Sequence, residues 1–166
     1  EKAAAFFEVK ALRDLSLENL LSSKKKLDPV IFRRARHVVT ENQRVLSFIK
    51  ALESGNPEKA GELMNESHQS LRDDFEVSSE ALDLISECAR ESPGCYGARM
   101  TGGGFAGCGV ALMDASHVKT FLSKVSKEYF SATRRRPAWN SALRGEQAST
   151  GLARCCRGTL IFRGGL

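Results

Sequence analysis

Gly97-Ala98-Arg99-Met100-Thr101-Gly102-Gly103-Gly104-Phe105-Ala106-Gly107-Cys108-Gly109-Val110-Ala111-Leu112-Met113 is the stretch on which the reading of this chain turns. It concentrates glycine between a short run, residues 98–101, and an apolar run, residues 108–113. Glycine lets the backbone adopt φ > 0 and lets another backbone or a phosphate come close. Successive N–H groups in such a turn can form an anion-binding concavity. The stretch satisfies G-x-G-x-x-G at Gly102, Gly104 and Gly107. A dinucleotide fingerprint also needs a helix opening at the glycines and an acidic residue about 20 positions on in a βαβ unit. Residues 107–113 have no helical amphipathicity and read as a buried strand. No Gly-Lys-Ser/Thr follows, which excludes a P-loop. Two readings stay open on pattern alone: a glycine-rich hairpin between antiparallel strands, and a phosphate-handling loop.

Upstream, the chain reads as helices. Residues 1–26 are mostly helix-compatible, with Leu12, Leu15, Leu17, Leu20 and Leu21 as apolar contacts and Lys24-Lys25-Lys26 as a solvated edge. Asp28-Pro29 is a helix start, with Asp as N-cap and Pro at the first helical position. Ile31, Ala35, Val38, Val45, Ile49 and Leu52 then form one apolar stripe that predicts a single buried face, and Gly55 stops the helix. His37, beside that stripe, reads as a structural histidine. Asn56-Pro57 repeats the start signal, and Ala60, Leu63, Met64, Ser67 and Leu71 share a face. His68 and Arg72 form an i, i+4 pair on an adjoining face. Asp73 and Asp74 are adjacent, so they point about 100° apart and do not converge as a metal or acid–base pair. Surface or domain-contact roles are expected for them. Ser78 or Ser79 caps a third helix with Leu82, Ile85, Cys88 and Ala89 inward. A fourth is predicted over residues 115–130, burying Val118, Phe121, Leu122 and Val125.

The chain has 166 residues and a formal net charge of +5. The charge is unevenly placed. From residue 131 onward there are seven Arg, no Lys and one acid, while residues 1–130 carry 18 bases against 19 acids. The nearly neutral first part has no electrostatic footprint for nucleic acid. No run of about 20 apolar residues suggests a membrane span. Cys88, Cys95, Cys108, Cys155 and Cys156 include no Cys-x-x-Cys, and their odd number suits free thiols in a reducing cytosol.

Residues 97–108 resemble the third conserved motif of galactokinases, in the GHMP family of small-molecule kinases. Two further blocks carry the resemblance in the right order. One is Glu62-Leu63-Met64-Asn65-Glu66-Ser67-His68-Gln69-Ser70-Leu71-Arg72-Asp73-Asp74-Phe75-Glu76-Val77-Ser78. The other is Arg33-Arg34-Ala35-Arg36-His37-Val38-Val39-Thr40-Glu41-Asn42. The resemblance covers residues 1–130. It departs at Ala106, where the family pattern has glycine.

The resemblance implies a GHMP kinase C-terminal domain over residues 1–133. This is an α+β, ferredoxin-like fold with helices packed on one face of a small antiparallel sheet, lacking a strand that precedes the helices. The family's Gly-Glu-His-Asp sugar motif, its Gly/Ser-rich phosphate loop and its catalytic Asp and Arg belong to an N-terminal domain and have no counterpart here. The initial Glu1-Lys2 without methionine fits that expectation of a fragment. The resemblance further implies ATP-dependent phosphorylation of galactose at C1, with Mg²⁺ accompanying ATP, in the cytoplasm. Thr101, Gly102, Gly103, Gly104, Phe105 and Gly107 are then the candidate nucleotide and substrate contacts, with no catalytic residue or metal ligand assigned. The partners implied are galactose and ATP, held through the N-terminal domain, with no nucleic acid and no membrane. Alternatives are a galactokinase-like sensor that binds sugar and ATP and signals to a transcriptional repressor, an N-acetylgalactosamine kinase, or a gene-model fragment without function of its own. Gly102-Gly103-Gly104-Phe105, against the Gly-Ala-Gly-Trp of the N-acetylgalactosamine group, favours galactose. Residues 134–166 lack clear periodicity and read as an Arg-rich disordered tail from an altered frame or retained intron, or else as a basic interaction tail. A competing reading pairs residues 159–162 beside residues 108–113.

Overall fold

The two Asx–Pro signals act as their side chains dictate. Asp28 Oδ1 accepts the N–H groups of Val30 at 2.9 Å and Ile31 at 3.1 Å. Asn56 Oδ1 accepts that of Lys59 at 2.9 Å. Each cap satisfies donors that the first helical turn leaves without intrahelical partners. The computed structural model describes residues 1–105, 108–142 and 159–163. Six α-helices occur among them: α1 Lys2–Phe6, α2 Leu17–Ser22, α3 Pro29–Glu53, α4 Pro57–Ser70, α5 Glu80–Arg90 and α6 Val118–Thr133. A π-helical turn, Leu71–Phe75, extends α4. The strands are β1 Cys95–Thr101, β2 Cys108–Met113, β3 Ala138–Ala142 and β4 Thr159–Arg163. They form one antiparallel sheet in the order β1-β2-β4-β3. Among the described residues no helix is long and apolar enough to cross a membrane.

Helices cover both faces of β1 and β2, where the sequence reading placed them on one. Alternate side chains of a strand face opposite ways. Ala111 and Met113 join Ile85, Cys88 and Ala89 of α5 and Phe121, Val125 and Tyr129 of α6 in one apolar cluster. Leu112, with Val110 packed alongside, joins Ala51, Leu52, Ala60, Leu63 and Met64 of α3 and α4 in another. A third cluster, from Ala3 and Leu15 to Phe32, Ala35 and Val39, ties the N-terminal segment to the start of α3. The predicted stripe of α3 is therefore buried only in part. Ala35 and Leu52 are buried, whereas Val45 and Ile49 are exposed and Phe32 and Val39 take the inner positions. Periodicity marks which face is apolar, not which length of it finds a partner.

α4 meets β1 backbone to backbone. A Cβ on Gly61 would stand 2.0 Å from the Tyr96 carbonyl oxygen, and one on Gly97 would stand 2.1 Å from the Gly61 oxygen. The same helix seals the outer edge of β1. Asn65 Oδ1 accepts the Ala98 N–H at 3.0 Å and His68 Nδ1 accepts the Met100 N–H at 3.2 Å. Gly61, Asn65 and His68 lie at i, i+4 and i+7, one face of a helix. The outward carbonyls are met as well, Ala98 O by Arg90 Nη1 at 3.4 Å and Met100 O by Arg99 Nε at 3.0 Å. Ala98 and Met100 thus have no ladder group left for a further strand.

α6 ends at Thr133. Beyond it, β3 and β4 stand where the composition argued for no regular element, with β4 beside β2 in the register Cys108↔Arg163 to Leu112↔Thr159. Composition weighs apolar burial but not the backbone hydrogen bonds that an open strand edge offers. Trp139 adds a contact of its own, edge-on to Phe121 with centroids 5.9 Å apart, and its Nε1 donates to Ser126 Oγ at 2.9 Å. Residues 143–158, with Cys155 and Cys156, lie outside the described residues; Cys88, Cys95 and Cys108 are free thiols.

Two stability measurements check this arrangement. Gly→Ala in a helix ordinarily gains about 1 kcal/mol. At Gly61 the added methyl meets backbone, and overpacking costs about 3 kcal/mol or more. Gly61→Ala is expected to lower urea stability by about 2 kcal/mol or more; a gain would refute the close seam. A chain ending at Thr133 is expected to unfold at a lower urea midpoint, because it loses the Trp139–Phe121 contact and uncovers β2. An unchanged midpoint would show residues 134–166 to be inert.

Candidate functional site

Thr101 ends β1 opposite Cys108, and the glycine-rich loop spans the gap between them. The loop is a hairpin connection, as one of the two pattern readings had it, and a strand rather than a helix follows it. Gly102 (φ 81°), Gly104 (φ 85°) and Phe105 (φ 59°) are left-handed. Gly103, at the centre, is not, so its glycine is not required by local backbone conformation. Among the described residues, a Cβ on Gly102 or Gly103 would meet nothing within 4 Å. One side of the loop is therefore open to approach by another group.

The other side is tied down. Phe105 N–H donates to Val77 O at 2.8 Å. A Cβ on Gly104 would stand 2.2 Å from the same oxygen, so glycine is required there by space as well as by φ. The Phe105 ring is 67% exposed. The structure thus brings Thr101, Gly102, Gly103, Gly104 and Phe105 together on one hairpin. Gly107, with Ala106, lies outside the described residues.

Beneath the loop lies a charged network that local spacing does not reveal. Arg99, two residues before Thr101, donates from Nη1 to Glu41 Oε1 at 3.1 Å. Ser67 Oγ donates to the same oxygen at 2.5 Å, and Arg44 pairs with Oε2. Burial opposes the Glu41 charge, but Ser67, Arg44 and Arg99 outweigh it and hold the carboxyl below the ordinary range. Glu41 and Arg99 are 58 positions apart, and only the folded chain joins them.

The histidines differ from expectation in one case. His37 is buried, stacked on Phe75 at 4.7 Å, and its Nδ1 lies 2.9 Å from Ser70 Oγ, which makes it structural. His68 does not pair with Arg72 across an i, i+4 face. It is 1% exposed and turned into β1, while Arg72 Nε donates to Asp73 Oδ1 at 2.7 Å. The i, i+4 rule describes exposed faces of continuous α-helix, and here α4 passes into the π turn at Leu71. Asp73 and Asp74 do diverge, but Asp74 is buried against Arg36 and Ser70 rather than at the surface. Among the described residues, no group of three His, Cys, Asp or Glu side chains could hold a metal ion.

Residues 48–132 match the family model of the GHMP kinase C-terminal domain. The chain belongs to the GHMP kinase family. It is 49% identical over 137 residues to the galactokinase of Pasteurella multocida (strain Pm70), covering 80% of this chain and 36% of that protein. It is 46% identical over 127 residues to the galactokinase of Roseiflexus sp. (strain RS-1), covering 76% and 32% respectively. Among solved structures, Lactococcus lactis galactokinase complexed with galactose superposes with a TM-score of 0.74 at 40% identity, covering 77% of this chain and 33% of that one. This GHMP kinase chain spans about a third of the length of the curated relatives it matches.

Within the domain, His68 supplies a pH test. Its Nδ1 accepts from Met100, so its proton sits on Nε2, which faces Asp83 Oδ1 at 3.2 Å. Burial, aided by the Arg90 charge and opposed by Asp83, pushes its pKa down to about 4. The unfolded chain takes up this proton near pH 6.5, and the folded chain refuses it until far lower pH. Stability is therefore full above about pH 7 and falls on acidification, by about 2 kcal/mol from this group between pH 7.5 and 5. His37, also lowered by burial, acts in the same direction. Urea midpoints across that range should show the fall, and His68→Gln should flatten it. A slope unchanged by that substitution would exclude His68 as its source.

Proposed function

We propose that this chain is the C-terminal part of a galactokinase, which transfers the γ-phosphoryl group of ATP to the C1 hydroxyl of galactose in the cytoplasm. The observation that carries the reading is the hairpin loop over residues 101–105, tied down on one side and, among the described residues, open over Gly102 and Gly103. It is supported by the 46–49% identity to galactokinases across more than three quarters of the chain. Mg²⁺ enters with ATP as the substrate complex.

Phosphoryl transfer depends mainly on positioning and on stabilising developing charge. In this reading residues 101–107 abut the nucleotide's phosphates from outside the N-terminal domain and close one wall of the sugar site. Bare glycines admit that approach, and the loop's N–H dipoles add positive potential where phosphate charge shifts. Nucleophile activation and Mg²⁺ binding fall to the part of the enzyme beyond this chain. The 166-residue chain alone should therefore turn over no galactose.

A chimera tests the reading, with this chain replacing the matching C-terminal third of the Pasteurella multocida galactokinase. It is expected to release ADP in a galactose-dependent manner. A Cβ at Gly103 meets nothing within 4 Å among the described residues and needs no left-handed backbone, so Gly103→Val should leave domain stability within about 0.5 kcal/mol. In the chimera it should lower kcat/KM at least tenfold, since misplacing a wall by about 1 Å can cost about a hundredfold. A folded but inactive chimera, or a fully active variant, would refute the assignment.

A further inference from the structure

The block from Arg33 to Asn42 has no part in phosphoryl transfer as described, yet three of its arginines converge on one short segment. Arg33 Nη2 donates to Glu76 Oε1 at 2.9 Å, and Arg34 Nη2 to Glu76 Oε2 at 2.6 Å. Arg34 Nη1 also donates to the Asp74 carbonyl at 2.9 Å. Arg36 Nε donates to Asp74 Oδ2 at 3.0 Å, and its Nη2 pairs with Oδ1.

The segment so gripped is unusual in itself. It runs from the end of the π turn Leu71–Phe75 and is closed by Val77 N–H on Leu71 O at 3.1 Å. Glu76 is left-handed at φ 54°. A left-handed non-glycine residue costs about 1–2 kcal/mol and persists only where its surroundings over-determine it. Such π turns are frequent at functional sites. The next carbonyl, Val77 O, is the one that holds Phe105 N–H and rests on Gly104. Phe105 is itself left-handed, so one carbonyl joins two strained positions.

We propose that Glu76 is a positioning residue, the link through which the arginine face of α3 sets the height of the glycine-rich hairpin via the Val77 carbonyl. Stability is a poor alternative account of the arginine pairs. Their side chains are 34% exposed for each arginine and 47% for Glu76, and pairs that exposed contribute about 0–1 kcal/mol. What they fix is direction, because both carboxylate oxygens are held at once. The consequence for phosphate contact rests on the galactokinase reading; the mechanical link does not.

Amide hydrogen exchange on the 166-residue chain, without nucleotide, tests the link. Glu76→Asn removes the carboxylate but keeps a residue that tolerates left-handed backbone. The Phe105 amide is expected to exchange at least tenfold faster, with the protected amides of β1 and β2 unchanged. The pair Arg33→Gln with Arg34→Gln should give the same local effect with residues 74–77 themselves unsubstituted. An unchanged Phe105 amide in both variants, or parallel acceleration across β1 and β2, would overturn the proposal. Because the exchange is read without nucleotide, an inactive chimera would sink the galactokinase reading and leave this link standing.

Discussion

Strand β1 must dispose of an unpaired edge, and the domain is arranged around how it does so. On one side β2 takes its ladder groups. On the other, the N–H groups of Ala98 and Met100 go to Asn65 and His68, and their carbonyls go to Arg90 and Arg99. Buried backbone groups without partners are costly, so each of these side chains answers a definite debt. Asn65 and His68 reach the edge only because Gly61 lets α4 come down onto Tyr96 and Gly97. Arg90 reaches it from α5, which in turn carries the apolar cluster shared with α6. Loosening α4 from β1 would therefore disturb the edge, the helix layer and the approach to the hairpin together.

The sequence made local features legible where one interaction dominates. The caps at Asp28 and Asn56, the buried strand of residues 108–113 and the inward residues of α5 all depend on neighbours within a few positions. Features that depend on distant partners were not legible. Nothing near His68 announces that its ring accepts from Met100, and nothing near Glu41 points to Arg99. The exposure of Val45 and Ile49 is of the same kind, because α3 runs for 25 residues and no apolar partner reaches that stretch of its stripe among the described residues. At the site, glycine content marked the hairpin, but which glycines serve φ and which serve access emerged only from coordinates. Gly104 serves both conformation and contact with Val77, whereas Gly103 serves neither among the described residues.

The charged residues show a similar division of labour. Glu41, Ser67, Arg44 and Arg99 form a partly buried network at the junction of α3, α4 and β1. Burial there raises the cost of breaking any one contact, since the remaining charge would be left without compensation. Arg33, Arg34 and Glu76 sit nearer solvent, where the same chemistry is worth little in free energy and more in geometry. One helix thus supplies a stabilising ionic junction from its middle and an orienting one from its first turns.

The α4–β1 seam also limits how the chain can change in length. Three helix positions, Gly61, Asn65 and His68, match three alternate strand positions, Tyr96, Ala98 and Met100. Seven helix residues rise about 10.5 Å, and four strand residues rise about 13 Å, so the two scales stay close only over a short interval such as this one. Adding or deleting one residue in α4 swings the stripe by about 100°. Doing so in β1 turns the other set of backbone groups toward the helix. Length variation is thereby excluded from residues 61–68 and 96–100, and must be taken up in the connections on either side.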